Sequence, residues 1–234
     1  MGGKILLVDD EQEIADLLEV YLTNDGYEVK KFYLGQPALD CLKEEDFDLA
    51  VLDVMLPDID GFQIVQKIRE QYFFPVIMLT AKIEDVDKIT GLTLGADDYI
   101  TKPFSPLEVV ARIKTQLRRF IKYNSQSESN GTKHEESIDI NGLIINKTLH
   151  TTTLYGKELS LTPLEFSILW YLAERRGEVV SAENLFEAVW GEKYLQNSNN
   201  TVMAHIGRLR EKLKEPARKP KFIKTVWGVG YKVE

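Results

Sequence analysis

The chain has 234 residues, of which 44% are hydrophobic and 28% are charged. This balance predicts a globular protein of one or two domains rather than a disordered or fibrous one. No apolar run is long enough to cross a bilayer and no secretory signal precedes the first strand-like segment, so a cytoplasmic protein without a membrane partner is expected. Cys41 is the single cysteine, which excludes an internal disulfide and a cysteine-based zinc site.

The charge is distributed unevenly along the chain. The net charge is −8, yet residues 1–120 carry about 13 basic and 23 acidic side chains, and residues 199–232 carry about 9 basic and 2 acidic ones. An acidic first half with a basic end predicts two functions, and the basic end favours nucleic acid as a partner. Two solvated surfaces without a function would carry the same charges, so the motifs must decide between these interpretations.

In residues 1–121, strand-like and helical patterns alternate. The strand-like segments are Lys4–Val8, Tyr27–Phe32, Leu49–Leu52, Val76–Leu79 and Asp98–Thr101. The segments with apolar residues at helical spacing are Ile14–Leu22, Gly35–Lys43, Phe62–Glu70, Ile83–Leu94 and Pro106–Arg119. Five strands that alternate with five helices predict an α/β domain with a doubly wound, five-stranded parallel sheet. Ligands of such sheets bind beyond the carboxyl ends of the strands.

After this domain the pattern changes. Residues 122–137 are polar and rich in Ser and Asn, which is typical of a flexible linker. In residues 138–234, the strand-like segments are Ile138–Ile145, Thr151–Tyr155, Phe222–Val226 and Gly230–Val233. The predicted helices, the first two with Thr162 and Ser181 as N-caps, are Thr162–Arg176, Ser181–Trp190 and Asn200–Lys214. Short strands, three helices and a terminal hairpin predict a winged helix-turn-helix domain.

Charged and hydroxyl side chains lie where the predicted parallel strands end. Asp9 and Asp10 follow the first strand and Asp53 follows the third, while Thr80 and Lys102 mark the ends of the fourth and fifth. Carboxylates at one edge repel each other unless a cation joins them, and Mg2+ prefers such oxygen ligands. Acids, a lysine and a hydroxyl around a metal predict phosphoryl transfer with one aspartate as the nucleophile. Each residue alone has a structural explanation, such as an N-cap, but the complete set is much harder to explain that way.

Four segments, V-D-D-E, L-D-V-M-L-P-D-I-D-G, L-T-A-K and D-D-Y-I-T-K-P-F, resemble the receiver domain of bacterial two-component response regulators over about residues 4–120. The resemblance implies a CheY-like fold in which Asp53 accepts phosphate from a sensor histidine kinase. It implies that Thr80 and Lys102 hold the phosphoryl group and that a cis peptide bond precedes Pro103. The residues that it assigns to Mg2+ are Asp9 (through water), Asp10, Asp53 and Met55 (through its carbonyl).

Residues 138–234 resemble the DNA-binding domain of the OmpR/PhoB subfamily through L-T-P-L-E-F, V-W-G, H-I-G-R-L-R-E-K-L and T-V-W-G-V-G-Y. Within the subfamily, I-T-G-L-T-L-G-A-D-D-Y-I-T-K-P-F and I-K-T-V-W-G-V-G-Y are similar to VanR-type regulators of glycopeptide resistance. The third helix is expected in the major groove, with Arg208 on a guanine edge and other side chains on phosphates. The residues expected at DNA are Asn199, Asn200, Thr201, His205, Arg208, Arg210, Lys212, Thr225, Trp227 and Tyr231.

Two positions depart from the subfamily pattern. Gly207 and Trp227 stand where relatives often carry an arginine. Residue 207 is therefore not expected to contact the DNA backbone, and the wing is not expected to place an arginine in the minor groove. Trp227 is expected to pack either on a DNA sugar or on its own domain.

The resemblance also implies how one domain controls the other. Thr80 would move toward the phosphoryl group and the ring of Tyr99 would turn inward, which favours one of two states of the surface formed by the last two receiver helices and the strand between them. Charges there would pair between two phosphorylated subunits, although such charges also pair within one chain or face solvent. The predicted pairs are Lys88 with Glu108, Asp98 with Arg112 and Asp97 with Arg119. The dimer would bind a direct-repeat operator, with RNA polymerase as a further partner.

Two other kinds of protein would share some of these features. A haloacid-dehalogenase-type aspartyl phosphatase would also use an aspartate at a strand end, but it carries a second acid two residues later, where this chain has Met55. A DNA-binding regulator with a phosphorylation-independent receiver would keep the fold without requiring the complete site. The absence of a Walker-type glycine loop argues against an ATP-driven regulator. The favoured interpretation is a phosphorylation-controlled transcription factor rather than a metabolic enzyme.

Overall fold

The computed structural model describes residues 2–81, 95–124, 136–191, 193–194, 198–216 and 218–234. The chain divides into two compact units, Met1–Phe120 and Ile121–Glu234. The predicted helix Ile83–Leu94 and most of the predicted linker lie outside the described residues. None of the helices in the described ranges combines the length and the apolar character that a membrane span needs.

The first unit is built on a sheet of five strands in which every pairing is parallel. Its strands are β1 (Lys4–Val8), β2 (Glu28–Phe32), β3 (Leu49–Asp53), β4 (Val76–Thr80) and β5 (Asp98–Thr101). Its described helices are α1 (Gln12–Asn24), α2 (Gly35–Cys41), α3 (Gly61–Gln71) and α4 (Pro106–Asn124). The strand order is β2-β1-β3-β4-β5, so the order reverses between β1 and β3, which is where ligands of doubly wound sheets bind.

The central strands of this sheet supply two apolar cores, one on each face. In β1, Leu6 and Val8 belong to one cluster of buried side chains, and Ile5 and Leu7 belong to the other. Every residue of β3 is buried, as expected for a parallel strand between two covering layers. The predicted doubly wound α/β fold is therefore confirmed.

From residue 136 onward, the described part of the second unit forms two antiparallel sheets and three helices. The first sheet consists of β6 (Ser137–Ile140), β7 (Leu143–Asn146), β8 (Thr151–Leu154) and β9 (Lys157–Glu158). The helices are α5 (Pro163–Glu174), α6 (Ala182–Trp190) and α7 (Ser198–Lys212). The second sheet has the order β10 (Val180–Ser181), β12 (Gly230–Val233) and β11 (Ile223–Val226). The hairpin of β11 and β12 is the wing, so the predicted winged-helix architecture is confirmed.

One strand prediction in this unit is wrong. The segment Ile138–Ile145 is not a single strand, because Asn141 and Gly142 form a turn between β6 and β7. Both residues have positive φ, 52° and 90°, and two consecutive positive φ values characterise the two-residue turn that Asn-Gly favours in hairpins. The dipeptide itself was the signal for the turn.

The predicted N-caps of α5 and α6 are confirmed. The Thr162 hydroxyl accepts a hydrogen bond from the Glu165 backbone N–H at 3.3 Å, and the Glu165 carboxylate accepts one from the Thr162 N–H at 2.8 Å. This reciprocal pair satisfies two backbone donors at the start of α5. The Ser181 hydroxyl accepts from the Asn184 N–H at 3.0 Å and caps α6 in the same way.

Candidate functional site

Three carboxylates meet at the carboxyl edge of the parallel sheet. The register pairs Val8 with Leu52, so Asp9 and Asp53 follow at the same level of the sheet. One ligand oxygen from each of Asp9, Asp10 and Asp53 lies within 4.8 Å of the others. Asp9 and Asp53 are buried while Asp10 is exposed, so the cluster opens to solvent. This donor set fits a hard divalent cation such as Mg2+.

Lys102 supplies the positive charge of the cluster. Its Nζ lies 2.6 Å from Asp53 Oδ2, 2.9 Å from Asp9 Oδ2 and 2.8 Å from Glu11 Oε1. Burial lowers the pKa of Lys102, but its hydrogen bonds to Asp53, Glu11 and Asp9 outweigh this effect and raise the pKa above its ordinary value. The ammonium group is therefore charged at neutral pH and suits a phosphoryl oxygen. The peptide bond between Lys102 and Pro103 is cis, as the resemblance implied.

The buried carboxyl of Asp9 has a raised pKa. Burial raises the pKa of the Asp9 carboxyl to about 6; the hydrogen bond from Lys102 opposes this rise, and the Asp53 charge adds to it. A buried carboxylate next to a second carboxylate ionises more readily when a cation is bound between them. Protonation of Asp9 would therefore compete with a cation at this cluster.

The backbone around Asp53 is fixed by a close approach that the sequence interpretation missed. The N–H of Met55 donates to Asp53 Oδ1 at 3.1 Å, and the N–H of Gly61 donates to the Val54 carbonyl at 2.9 Å. A Cβ at Gly61 would lie 2.1 Å from the Asp53 carbonyl oxygen, so only glycine fits at the start of α3. The final glycine of the motif L-D-V-M-L-P-D-I-D-G was the available signal for this constraint.

Thr80 and Tyr99 lie on the neighbouring strands β4 and β5. Thr80 ends β4 and is buried, and its hydroxyl donates to the Ala81 carbonyl at 2.9 Å. Tyr99 is half-buried and packs against the apolar cluster that includes Val65 and Met78. The Thr80 hydroxyl therefore sits at the same sheet edge as Asp53, bonded to the backbone.

The charges predicted to pair between subunits make bonds inside the chain. Arg112 pairs with Asp98 at 2.9 Å and with Glu108 at 3.2 Å. Asp97 is only 1% exposed and pairs with Arg69 at 2.6 Å, so its prediction as a surface charge is wrong. Its buried carboxylate also accepts the N–H of Val76 and thereby joins α3 to β4. The other predicted members, Lys88 and the side chain of Arg119, lie outside what the structure describes.

Two side chains predicted to face DNA are turned into the second unit. His205 is fully buried and Arg208 is 6% exposed, so both side chains point into the unit in this structure, and the contact of Arg208 with a guanine edge stays a prediction. The guanidinium of Arg208 hydrogen-bonds with the His205 ring and lies 3.9 Å from a Glu165 oxygen. The sequence interpretation did not identify Glu165, whose buried charge draws Arg208 inward.

Glu165 connects the first helix of this unit to the third. It is fully buried on α5, and Lys212 of α7 donates to it at 2.6 Å. Burial opposes ionisation of Glu165, but the charges of Arg208 and Lys212 outweigh that effect and hold its pKa below the ordinary value. The ionised carboxylate therefore fixes α7 against α5. Lys212 is only half-buried, but this bond engages its ammonium group with α5.

The remaining predicted DNA contacts fall into three groups. Asn199 is exposed, whereas Asn200 and Thr201 are partly buried. Arg210 donates to the Ile223 carbonyl at 2.7 Å and to the Thr225 hydroxyl at 2.8 Å, so α7 and the wing are joined through these side chains. The two aromatic side chains differ in exposure, since Tyr231 is buried and Trp227 is 89% exposed at the wing tip. In this structure Trp227 therefore does not pack on its own unit and Tyr231 is turned inward, and contacts of either side chain with DNA stay predictions.

Comparisons with known proteins match each of the two units to a protein family. The family model of the response regulator receiver domain matches residues 5–114. The model of the C-terminal domain of transcriptional regulatory proteins matches residues 156–233. The chain thus belongs to the two-component response regulators that combine a receiver with a DNA-binding domain of the OmpR/PhoB type.

Particular relatives match over the whole chain. The sequence is 63% identical to the regulatory protein VanRc of Enterococcus gallinarum and 55% identical to VanR of Enterococcus faecium, with full coverage of both chains in each case. The similarity to VanR-type regulators is confirmed. Among solved structures, the response regulator DrrB of Thermotoga maritima is 37% identical with a TM-score of 0.50, and a mutant of RitR is 28% identical with a TM-score of 0.74. Both alignments cover 100% of this chain and 99% of the other.

The affinity of the acidic cluster for Mg2+ should depend on pH through Asp9. Since the pKa of Asp9 is about 6, the affinity is expected to be nearly constant above pH 7 and to fall up to about tenfold per pH unit below pH 6, because bound Mg2+ must displace a proton. Isothermal titration calorimetry at several pH values measures this dependence. Asp9→Asn is the control and should bind more weakly but with a flatter profile, whereas equal affinity of the unmodified protein at pH 5 and pH 7.5 would contradict the assignment.

Replacing Glu165 should destabilise the second unit. Glu165→Gln leaves the charge of Arg208 buried without its carboxylate, and breaking a buried pair in this way costs about 3 kcal/mol or more. The three tryptophans, Trp170, Trp190 and Trp227, all lie in this unit, so urea unfolding followed by tryptophan fluorescence reports on it alone. Glu174→Gln, an exposed position on the same helix, should change the free energy of unfolding by less than about 0.5 kcal/mol. Equal losses for both variants would refute the role of Glu165.

Proposed function

We propose that a sensor histidine kinase phosphorylates Asp53 in the presence of Mg2+, and that phosphorylation promotes receiver dimerisation and sequence-specific DNA binding to control transcription. The observation that carries the proposal is the position of Lys102, whose Nζ contacts Asp53 and Asp9 together at the open edge of the sheet. The similarity to VanR-type regulators supports genes of glycopeptide resistance or the cell envelope as targets, with RNA polymerase as a partner at the promoter.

The residues of the cluster divide the chemistry among them. An Asp53 carboxylate oxygen attacks the phosphorus of the kinase phosphohistidine, so that an O–P bond forms while the N–P bond breaks. Asp9, Asp10, Asp53 and the Met55 carbonyl would hold Mg2+, Asp9 through water, and the cation when bound neutralises charge on the transferring phosphoryl oxygens. Lys102 exchanges its contact with Asp53 for a phosphoryl oxygen.

The change in charge at Asp53 would be transmitted through Thr80 and Tyr99. The Thr80 hydroxyl now donates to the Ala81 carbonyl, and a phosphoryl oxygen offers it a stronger, charged acceptor. Movement of Thr80 leaves room for the Tyr99 ring to turn inward. The result is a shift between two states of the surface that carries Asp98 and Arg112.

The alternatives have less support. A receiver that works without phosphorylation would not require Asp9, Asp10, Asp53, Thr80 and Lys102 at one sheet edge, and all five are present there. An aspartyl phosphatase would leave the second unit unexplained, since that unit matches a DNA-binding family. A phosphorylation-controlled transcription factor accounts for both units.

Selection from random DNA fragments tests the proposed switch. Protein treated with Mg2+ and a small-molecule phosphodonor should enrich a direct-repeat sequence, at least about tenfold more strongly than untreated protein, because dimerisation lets two domains bind together. The matched control is Asp53→Asn, which keeps the shape of the side chain and should give equally weak enrichment with and without the donor. Equal enrichment by treated and untreated protein of the unmodified sequence would show that the receiver does not control DNA binding.

Charge exchange tests the dimer and distinguishes pairs between subunits from pairs within a chain. Asp98→Arg and Arg112→Asp should each weaken the phosphorylated dimer, by about tenfold or more, because like charges then face each other across the interface. A mixture of the two variants should recover dimers, since opposite charges meet only between unlike subunits. Analytical ultracentrifugation measures the dissociation constants, with Lys114→Glu on the same helix as control. If the mixture does not recover dimers, Asp98 and Arg112 pair only within one chain.

A further inference from the structure

The outward face of α7 is uncharged at its centre. Asn199, Met203 and Gly207 are exposed and are spaced four residues apart, so they form one stripe along the helix. Met203, at the centre of the stripe, is a large apolar side chain that is 54% exposed. The Asn199 side-chain amide lies 3.7 Å from the Met203 sulfur and orients it on this face.

The cationic side chains of α7 are engaged elsewhere. Arg208 is buried beside Glu165, and Lys212 donates to the same carboxylate. Arg210 donates to the backbone and side chain of β11. In the described helix, the exposed side chains that remain are therefore Asn199 near its start, Met203 at its centre and the acid Glu211 near its end.

The stripe borders a groove of about 590 Å3 between α7 and the wing. Its walls include Met203, Trp227 and Val229, all exposed, together with Arg210 and the acid Glu183. The surrounding segment 199–232 carries about 9 basic and 2 acidic side chains, which suits a polyanion better than an apolar protein partner. Double-stranded DNA is therefore the occupant that this surface fits.

Gly207 gives an independent indication of close approach. A glycine inside a helix costs about 1 kcal/mol relative to alanine, and a Cβ at Gly207 would meet nothing within 4 Å in the protein. The packing of the unit does not require this glycine. Its bare backbone instead leaves room for a ligand directly beside Met203, one helical turn along the stripe.

We propose that Met203 recognises thymine by packing its thioether against the C5-methyl group in the major groove, where Gly207 lets the helix approach the bases. Thymine is the base that presents a methyl group in that groove, and a flexible, polarisable thioether adapts to it. The inference rests on the proposed DNA-binding function and specifies how the same surface selects its sequence. Operator specificity then includes a methyl contact from the centre of α7.

Replacement of thymine by deoxyuridine tests the contact, because it removes only the methyl group. On the operator obtained by selection, each thymine is replaced singly and the dissociation constant is measured by fluorescence anisotropy. At one or two thymines per half-site, the replacement should weaken binding of the unmodified protein about fourfold, the effect of one buried methyl group. Met203→Ala should bind the normal operator more weakly and lose this dependence, while Met203→Leu should retain it.

Leu149→Ala is the matched control, since it removes an apolar side chain that is also half exposed but lies outside α7 and the wing; it should keep both affinity and methyl dependence. The inference is overturned if no deoxyuridine replacement weakens binding, if the selected half-site lacks thymine, or if Met203→Ala keeps the full methyl dependence. In each of these outcomes the protein still binds a specific operator, so the proposed function survives. Failure to enrich any sequence would instead overturn the proposed function itself, and this inference with it.

Discussion

The first unit depends on the neutralisation of carboxylates at the end of a buried sheet. Asp9 follows β1 and Asp53 ends β3, two strands whose side chains are almost wholly buried, and an unpaired carboxylate there would cost several kcal/mol. The Nζ of Lys102 contacts both of them. These three residues are distant in sequence and adjacent in space only because β1, β3 and β5 are parallel and end at one edge. The parallel topology therefore brings the site together. In turn, the two buried carboxylates require a topology that places Lys102 next to them.

The second unit also has a buried ionic cluster, but this cluster is closed to solvent. Glu165 is fully enclosed and its charge is balanced by Arg208 and Lys212 of the same chain, so an incoming ion has no route to it from solvent. In the first unit, Asp10 and Glu11 reach solvent and give a cation access to the carboxylates. Both clusters perturb pKa values, and such perturbation alone does not separate function from structure. Access to solvent does, because only the open cluster can exchange one positive partner for another.

The features that the sequence predicted are those that follow from local, periodic patterns of apolar residues. The strands of the first unit and their parallel order follow from alternating apolar segments, and the strand-end residues then had to meet at one edge. What it could not predict are partners that only tertiary packing brings together, such as Glu165 with Arg208. The available signal was an acid inside L-T-P-L-E-F, next to Leu164 and Phe166 on a helix that is buried there. An acid at such a position needs a cation, and the buried cation on α7 is the one that supplies it.

The inward turn of Arg208 separates two tasks that one helix could otherwise combine. Cations on α7 that hold the helix against α5 and the wing fix its orientation, and a fixed helix loses less conformational entropy on binding than one that orders at the DNA. Affinity can still come from the basic segment 199–232, since phosphate contacts carry no sequence information. Selectivity then falls to the few exposed groups of α7, Asn199 and Met203 among them. Rigidity of the helix makes a weak methyl contact selective, because a helix that cannot shift toward the base cannot replace the contact with a missing methyl group.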